Sequence, residues 1–113
     1  MEMKVHLHPD VFEIVRMGKK DIEVRVNDEK RRKLKVGDTL VFLKRPNDDE
    51  EIRAKVIGLE YYDYFDTLVD NYDMERIYLS NYTKEEYLEE MKRFYTKEEQ
   101  EKYGVVAIIF SKE

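Results

Sequence analysis

Three side chains that can do chemistry stand close together in the stretch GKKDIEVR: Lys20, Glu23 and Arg25. Asp21 to Arg25 alternates charged and aliphatic residues, which is the period of a strand. Asp21, Glu23 and Arg25 then share one face, and Ile22, Val24 and Val26 point the other way. A carboxylate beside a lysine holds the ammonium charged, or shares a proton with it when both leave water. An arginine adds a planar fork that fits phosphate, carboxylate or a nucleobase edge. Asp38 follows a turn glycine and is placed to close the network. One reading makes this the polar floor of a site. The plainer reading is a structural ion-pair network, with Glu23 on Arg25 or Lys20 and Asp38 capping its own turn.

Two other groups invite the same question. His6 and His8 lie on one face of a predicted strand, but nothing nearby has the spacing of further metal ligands. They read as surface histidines, and no metal or other cofactor is expected. Tyr61, Tyr62, Tyr64, Tyr72, Tyr78 and Tyr82 crowd an acidic segment. Tyrosine rings stack on bases, but the neighbouring aspartates repel a phosphate backbone. Most of these rings read as packing with wet hydroxyls. No nucleophile elbow, glycine-rich phosphate loop or zinc-protease helix is present. With no cysteine, thiol catalysis and disulfides are excluded.

The elements that must position these residues follow from periodicity. Met3 to Leu7 reads as a strand, with Val5 and Leu7 inward. Pro9 opens a helix near 9–17 with the stripe Val11, Ile14 and Val15, and Gly18 suits its end. Strands follow at 21–26, 39–43 and 52–60. NDEKRRK is a loop or single helical turn, and RPNDDEE is a hairpin loop. YFDTLVDNY holds a short helix with Phe65, Leu68 and Val69 inward. Thr83 with Glu86, and Thr96 with Glu99, each form a capping box that starts a helix. The first of these helices carries Tyr87, Leu88, Met91, Phe94 and Tyr95, a stripe that reads as core. GVVAIIF, 104–110, is a central strand buried on both faces. The sum is an α+β domain on a small, mostly antiparallel sheet, curled toward a barrel, spanning residues 1–113 without a linker.

Composition narrows the partners. Hydrophobic residues make up 42% of the 113 residues, enough for one core. No apolar run reaches the length of a membrane span and Met1 is followed by an acid, so a cytoplasmic protein is expected. The net charge is −5, but residues 16–35 carry nine Lys/Arg against four Asp/Glu. A basic patch on an acidic chain favours a local anionic ligand over long-range attraction to a polyanion.

The run FEIVRMGKKDIEVRVNDEKRRKLKVGDTL resembles the motif region of ASCH (activating signal cointegrator homology) domains. The shared pattern is a helix ending in Gly, then Lys, then Glu-x-Arg on a strand, a basic loop and a Gly-Asp turn. The closing KYGVVAIIF is similar to the end of small stand-alone bacterial and archaeal members. The resemblance implies a PUA-like fold, a small mixed β-barrel with flanking helices and a cleft to one side. It also implies a role in binding RNA, a nucleotide or a nucleoside. Carried over by position, the ligand-binding residues are Lys20, Glu23, Arg25, Asn27, Lys30, Arg31, Asp38 and Tyr103, with Asp28 on the same loop. One branch of the family resembles amidohydrolases that deacetylate 4-acetylcytidine with a Lys, a Thr and a later Glu. Lys20 stands at the Lys position, Glu23 replaces the Thr, and the later Glu falls near Ser80. An enzyme of this kind would use Glu23 to activate water and Lys20 to stabilise the oxyanion. A few members are ribonucleases. A regulatory domain braced by the charged motif, without catalysis, is the remaining alternative.

Overall fold

A computed structural model of the chain describes residues 1–113. The strands Glu2–Leu7 (β1), Ile22–Val26 (β2), Thr39–Lys44 (β3), Glu51–Tyr62 (β4) and Val105–Lys112 (β5) form one sheet. Their order is β1-β3-β4-β5-β2. Only β1 and β3 run parallel; the other three pairings are antiparallel. The sheet curls into a half-barrel. Closure into a full barrel would remove the sheet's exposed edges. This sheet stays open: β1 and β2 each pair on one side only and leave a seam between them.

Helices cover both faces. Pro9–Arg16 (α1) carries Pro9 in its first turn, and Gly18 follows it in a left-handed conformation (φ 80°). Its buried residues Val11, Phe12 and Val15 pack with Met3, Val5 and Leu7 of β1 and with Leu40 and Phe42 of β3. On the other face lie Phe65–Val69 (α2), Met74–Ile77 (α3), Lys84–Met91 (α4) and Lys97–Tyr103 (α5). Phe65, Leu68, Val69, Ile77, Tyr87 and Met91 form the second cluster of buried residues there. Strand β5 serves both clusters. Val106, Ile108 and Phe110 turn to the first, and Val105 and Ala107 to the second. That is why its sequence is continuously apolar.

Both capping boxes form. Thr83 Oγ1 accepts from the Glu86 N–H at 3.1 Å, and Thr96 Oγ1 accepts from the Glu99 N–H at 3.1 Å. Each glutamate accepts in return from the N–H of its threonine. Helix α4 stops at Met91, earlier than the aromatic stripe suggests. Tyr95 stays half-buried with its ring centroid 5.5 Å from that of Phe65, whereas Phe94 is 61% exposed. The expectation of Phe94 in the core therefore fails, because helical spacing has no meaning past the helix end. Helix α3, with its single buried residue Ile77, has too short a pattern to be read from sequence.

Candidate functional site

The seam between β1 and β2 opens into a cleft of about 300 Å³. Lys20, Glu23 and Arg25 form its charged floor. His6 and His8 from the β1 edge line one wall, with Arg45 from the end of β3. Tyr78, Tyr87, Met91, Phe94 and Tyr95 form the opposite, largely aromatic wall.

The floor is a fixed chain of ion pairs. The Lys20 ammonium is 3% exposed and donates to Glu23 Oε1 at 3.0 Å. It also donates to the Ile77 carbonyl at 2.6 Å and to the Ile22 carbonyl. These three acceptors use all three ammonium protons. The second Glu23 oxygen, Oε2, accepts from Arg25 Nε at 2.7 Å and from Nη2 of the same guanidinium. Burial pushes the Glu23 carboxyl up, but Arg25 and Lys20 more than reverse this and hold it at about 2. Burial lowers the Lys20 ammonium below the ordinary lysine value, against the attraction of Glu23. Burial also works against the Arg25 charge, but Glu23 raises its value overall. Arg25 keeps 22% of its side chain exposed, and Tyr95 stands beside it. Among the three floor residues, Arg25 has donors left over for a ligand.

The other residues named from sequence occupy different places. Asn27 leaves β2 with its N–H on the Gly104 carbonyl, and its side-chain oxygen is buried without a partner. Lys30 is exposed at the start of a single 3-10 turn, Arg31–Lys33. The Arg31 N–H donates to Asp28, while its Nε is buried and unpartnered. Burial, and then the nearby Arg25 charge, lower the Arg31 guanidinium. Arg32 donates to the carbonyls of Asn27 and Tyr103, and Arg32 and Lys102 lie over the Tyr103 ring. The loop is thus pinned to the end of α5, beside the cleft and outside its lining. Asp38 lies elsewhere, accepting from the Lys35 N–H and from the amino terminus. It takes no part in the Glu23 network.

Sequence reasoning missed the walls. His6 and His8 reach the cleft because β1 is an edge strand, and His6 Nδ1 lies 3.1 Å from Asp48. Tyr87 and Met91 were read as core. They are buried and also line the cleft, which no periodicity distinguishes from packing. Burial raises the Tyr87 hydroxyl well above the ordinary tyrosine range.

The family model for the ASCH domain matches residues 5–113. The chain belongs to the ASCH family. The crystal structure of hypothetical protein PH0355 is similar over 100% of both chains, with 32% identity and a TM-score of 0.86. The solution structure of protein PF0455 from Pyrococcus furiosus shares 31% identity over 99% of this chain and 97% of that one, with a TM-score of 0.79. The ASCH protein from Zymomonas mobilis is 17% identical with a TM-score of 0.60, over 97% of this chain and 66% of that one. That likeness bears on the fold alone, and the fold it supports is the ASCH/PUA-like one. No curated protein matches the sequence. No helix of this ASCH domain is long and apolar enough to cross a membrane.

Proposed function

We propose that the chain acts as a single ASCH domain that binds a nucleotide or a short single-stranded RNA segment in the seam cleft. The observation that carries this reading is Arg25. Its guanidinium is anchored by Glu23 on one side and opens on the other into a cleft with an aromatic wall. A cation at the floor suits a phosphate or a base edge, and the rings suit the faces of bases. PUA-like folds are often linked to RNA binding, which agrees with this. Lys30 and Arg31, on the loop beside Arg25, extend the positive charge for the neighbouring backbone. A charge-rich chain without cysteine suits the cytoplasm.

The geometry lends less to the amidohydrolase alternative. A carboxyl held at about 2 by two cations is a weak general base. Lys20 must release one of its three acceptors before it can meet an oxyanion. In this reading Lys20 positions Glu23, Glu23 positions Arg25, and Arg25 meets the ligand.

The test is fluorescence anisotropy with a labelled single-stranded RNA, comparing the wild type with Arg25→Ala. Loss of binding with a retained circular dichroism spectrum is expected. Unchanged affinity overturns the site. Acetate release from 4-acetylcytidine that Lys20→Ala abolishes would replace the binding reading with the enzymatic one.

A further inference from the structure

The mouth of the cleft carries two side chains that the fold does not use. Phe94 is 61% exposed although it closes an aromatic stripe, because α4 ends at Met91 and the following turn swings it outward. It lines the cleft beside Tyr95. Arg45 faces the same cleft from the other rim, and its backbone N–H is fixed to the Leu7 carbonyl at 2.9 Å. Its side chain is exposed and has no carboxylate within ion-pair distance. Its cationic neighbours are all matched. Lys44 pairs with Glu13 and Glu50, and Arg16 with the same two glutamates. The one carboxylate on the aromatic wall, Glu90, is held by Arg93 at 3.3 Å. Arg45 is thus left as an uncompensated charge at the mouth, across from a bare aromatic ring.

We infer that Phe94 and Arg45 form a second nucleotide subsite at the mouth, so that the ligand is a single-stranded segment of at least two nucleotides. The first nucleotide sits over Arg25. The next base stacks on Phe94, and the phosphate that follows meets Arg45. A free nucleoside or mononucleotide fills only the inner position. A ring and a guanidinium on opposite rims match the alternation of base and phosphate along a strand. The inference rests on reading the cleft as a nucleotide site.

The experiment compares two probes, fluorescein-labelled hexauridylate by anisotropy and uridine monophosphate by calorimetry. Phe94→Ala and Arg45→Ala each weaken the hexamer roughly tenfold, the scale of losing one base stack or one phosphate contact. Both leave the mononucleotide affinity unchanged. Phe94→Leu, which keeps apolar bulk without a ring, behaves like Phe94→Ala. Hexamer affinity that ignores these changes, or mononucleotide affinity that falls equally, overturns the second subsite while the inner site stands. If the wild type binds neither probe and Arg25→Ala changes nothing, the nucleotide reading falls, and this inference with it.

Discussion

Glu23 divides its carboxylate between two cations, with Oε1 on Lys20 and Oε2 on Arg25. The residue is 5% exposed, so neither oxygen has water to fall back on. Glu23→Gln removes the negative charge and leaves two cations facing each other. Breaking a buried pair from one side costs about 3–5 kcal/mol. Urea denaturation is expected to show a loss of that size. A midpoint equal to that of the wild type would mean that the network does not brace the fold.

The same carboxylate makes stability depend on acid. Its folded value of about 2 lies below the ordinary 4.5, so the folded state binds fewer protons than the unfolded chain in that interval. The contribution is fully present above the ordinary value and disappears as pH falls toward 2. Its size is on the order of 3 kcal/mol. Denaturation midpoints measured between pH 5 and 2 fall for the wild type, and Glu23→Gln flattens that fall.

Arg25 can be tested for geometry as well as charge. Lysine keeps the charge but cannot offer Nε and Nη2 side by side to one carboxylate oxygen while aiming further donors outward. Arg25→Lys is expected to lose most RNA affinity while remaining folded. Affinity equal to that of the wild type would reduce the role of Arg25 to a point charge.

Salt separates a two-phosphate contact from a broad basic surface. If Arg25 and Arg45 each meet one phosphate of a single strand, the logarithm of affinity falls against the logarithm of salt with a slope of about −1.4. Arg45→Ala halves it. A steeper slope counts the further phosphates met by the loop around Lys30 and Arg31.

The helix caps give a control remote from the ligand. Thr83→Ala and Thr96→Ala each lose a bond to the third N–H of a helix and cost about 1 kcal/mol. Thermal melts measure this directly. Thr96→Ala leaves RNA affinity unchanged, since α5 contributes no residue to the cleft.

Much of this was legible in the sequence. The alternation of IEVRV placed β2, and the unbroken GVVAIIF announced a strand with two covered faces, which β5 has. The two Thr-to-Glu spacings located the starts of α4 and α5 to the residue. The cleft was only half legible. Lys20, Glu23 and Arg25 are close in sequence, so local spacing reveals their meeting. Asp38 is equally available by residue type, but what it meets is the amino terminus, 37 residues away. The wall formed by His6, His8 and Arg45 depends on which strands end up at the edges, and strand order is a global property. Phe94 depends on where a helix stops, the least readable feature of a periodic stripe.

The unclosed sheet has a consequence for the backbone itself. Odd-numbered residues of β1 turn their polar groups to β3, as Leu7 does in accepting from Arg45, so the amide of His6 turns to the gap. In β2 the odd residues likewise face β5, as Asp21 does in accepting from Phe110, and the amide of Val24 turns to the gap from the other side. These two amides lie in well-formed strands, yet no strand shields them. Their hydrogen exchange therefore reports on the seam. In the empty protein the amide of exposed His6 exchanges as a free sheet edge does and that of buried Val24 more slowly, and a bound strand slows both together, registering occupancy from the two walls at once.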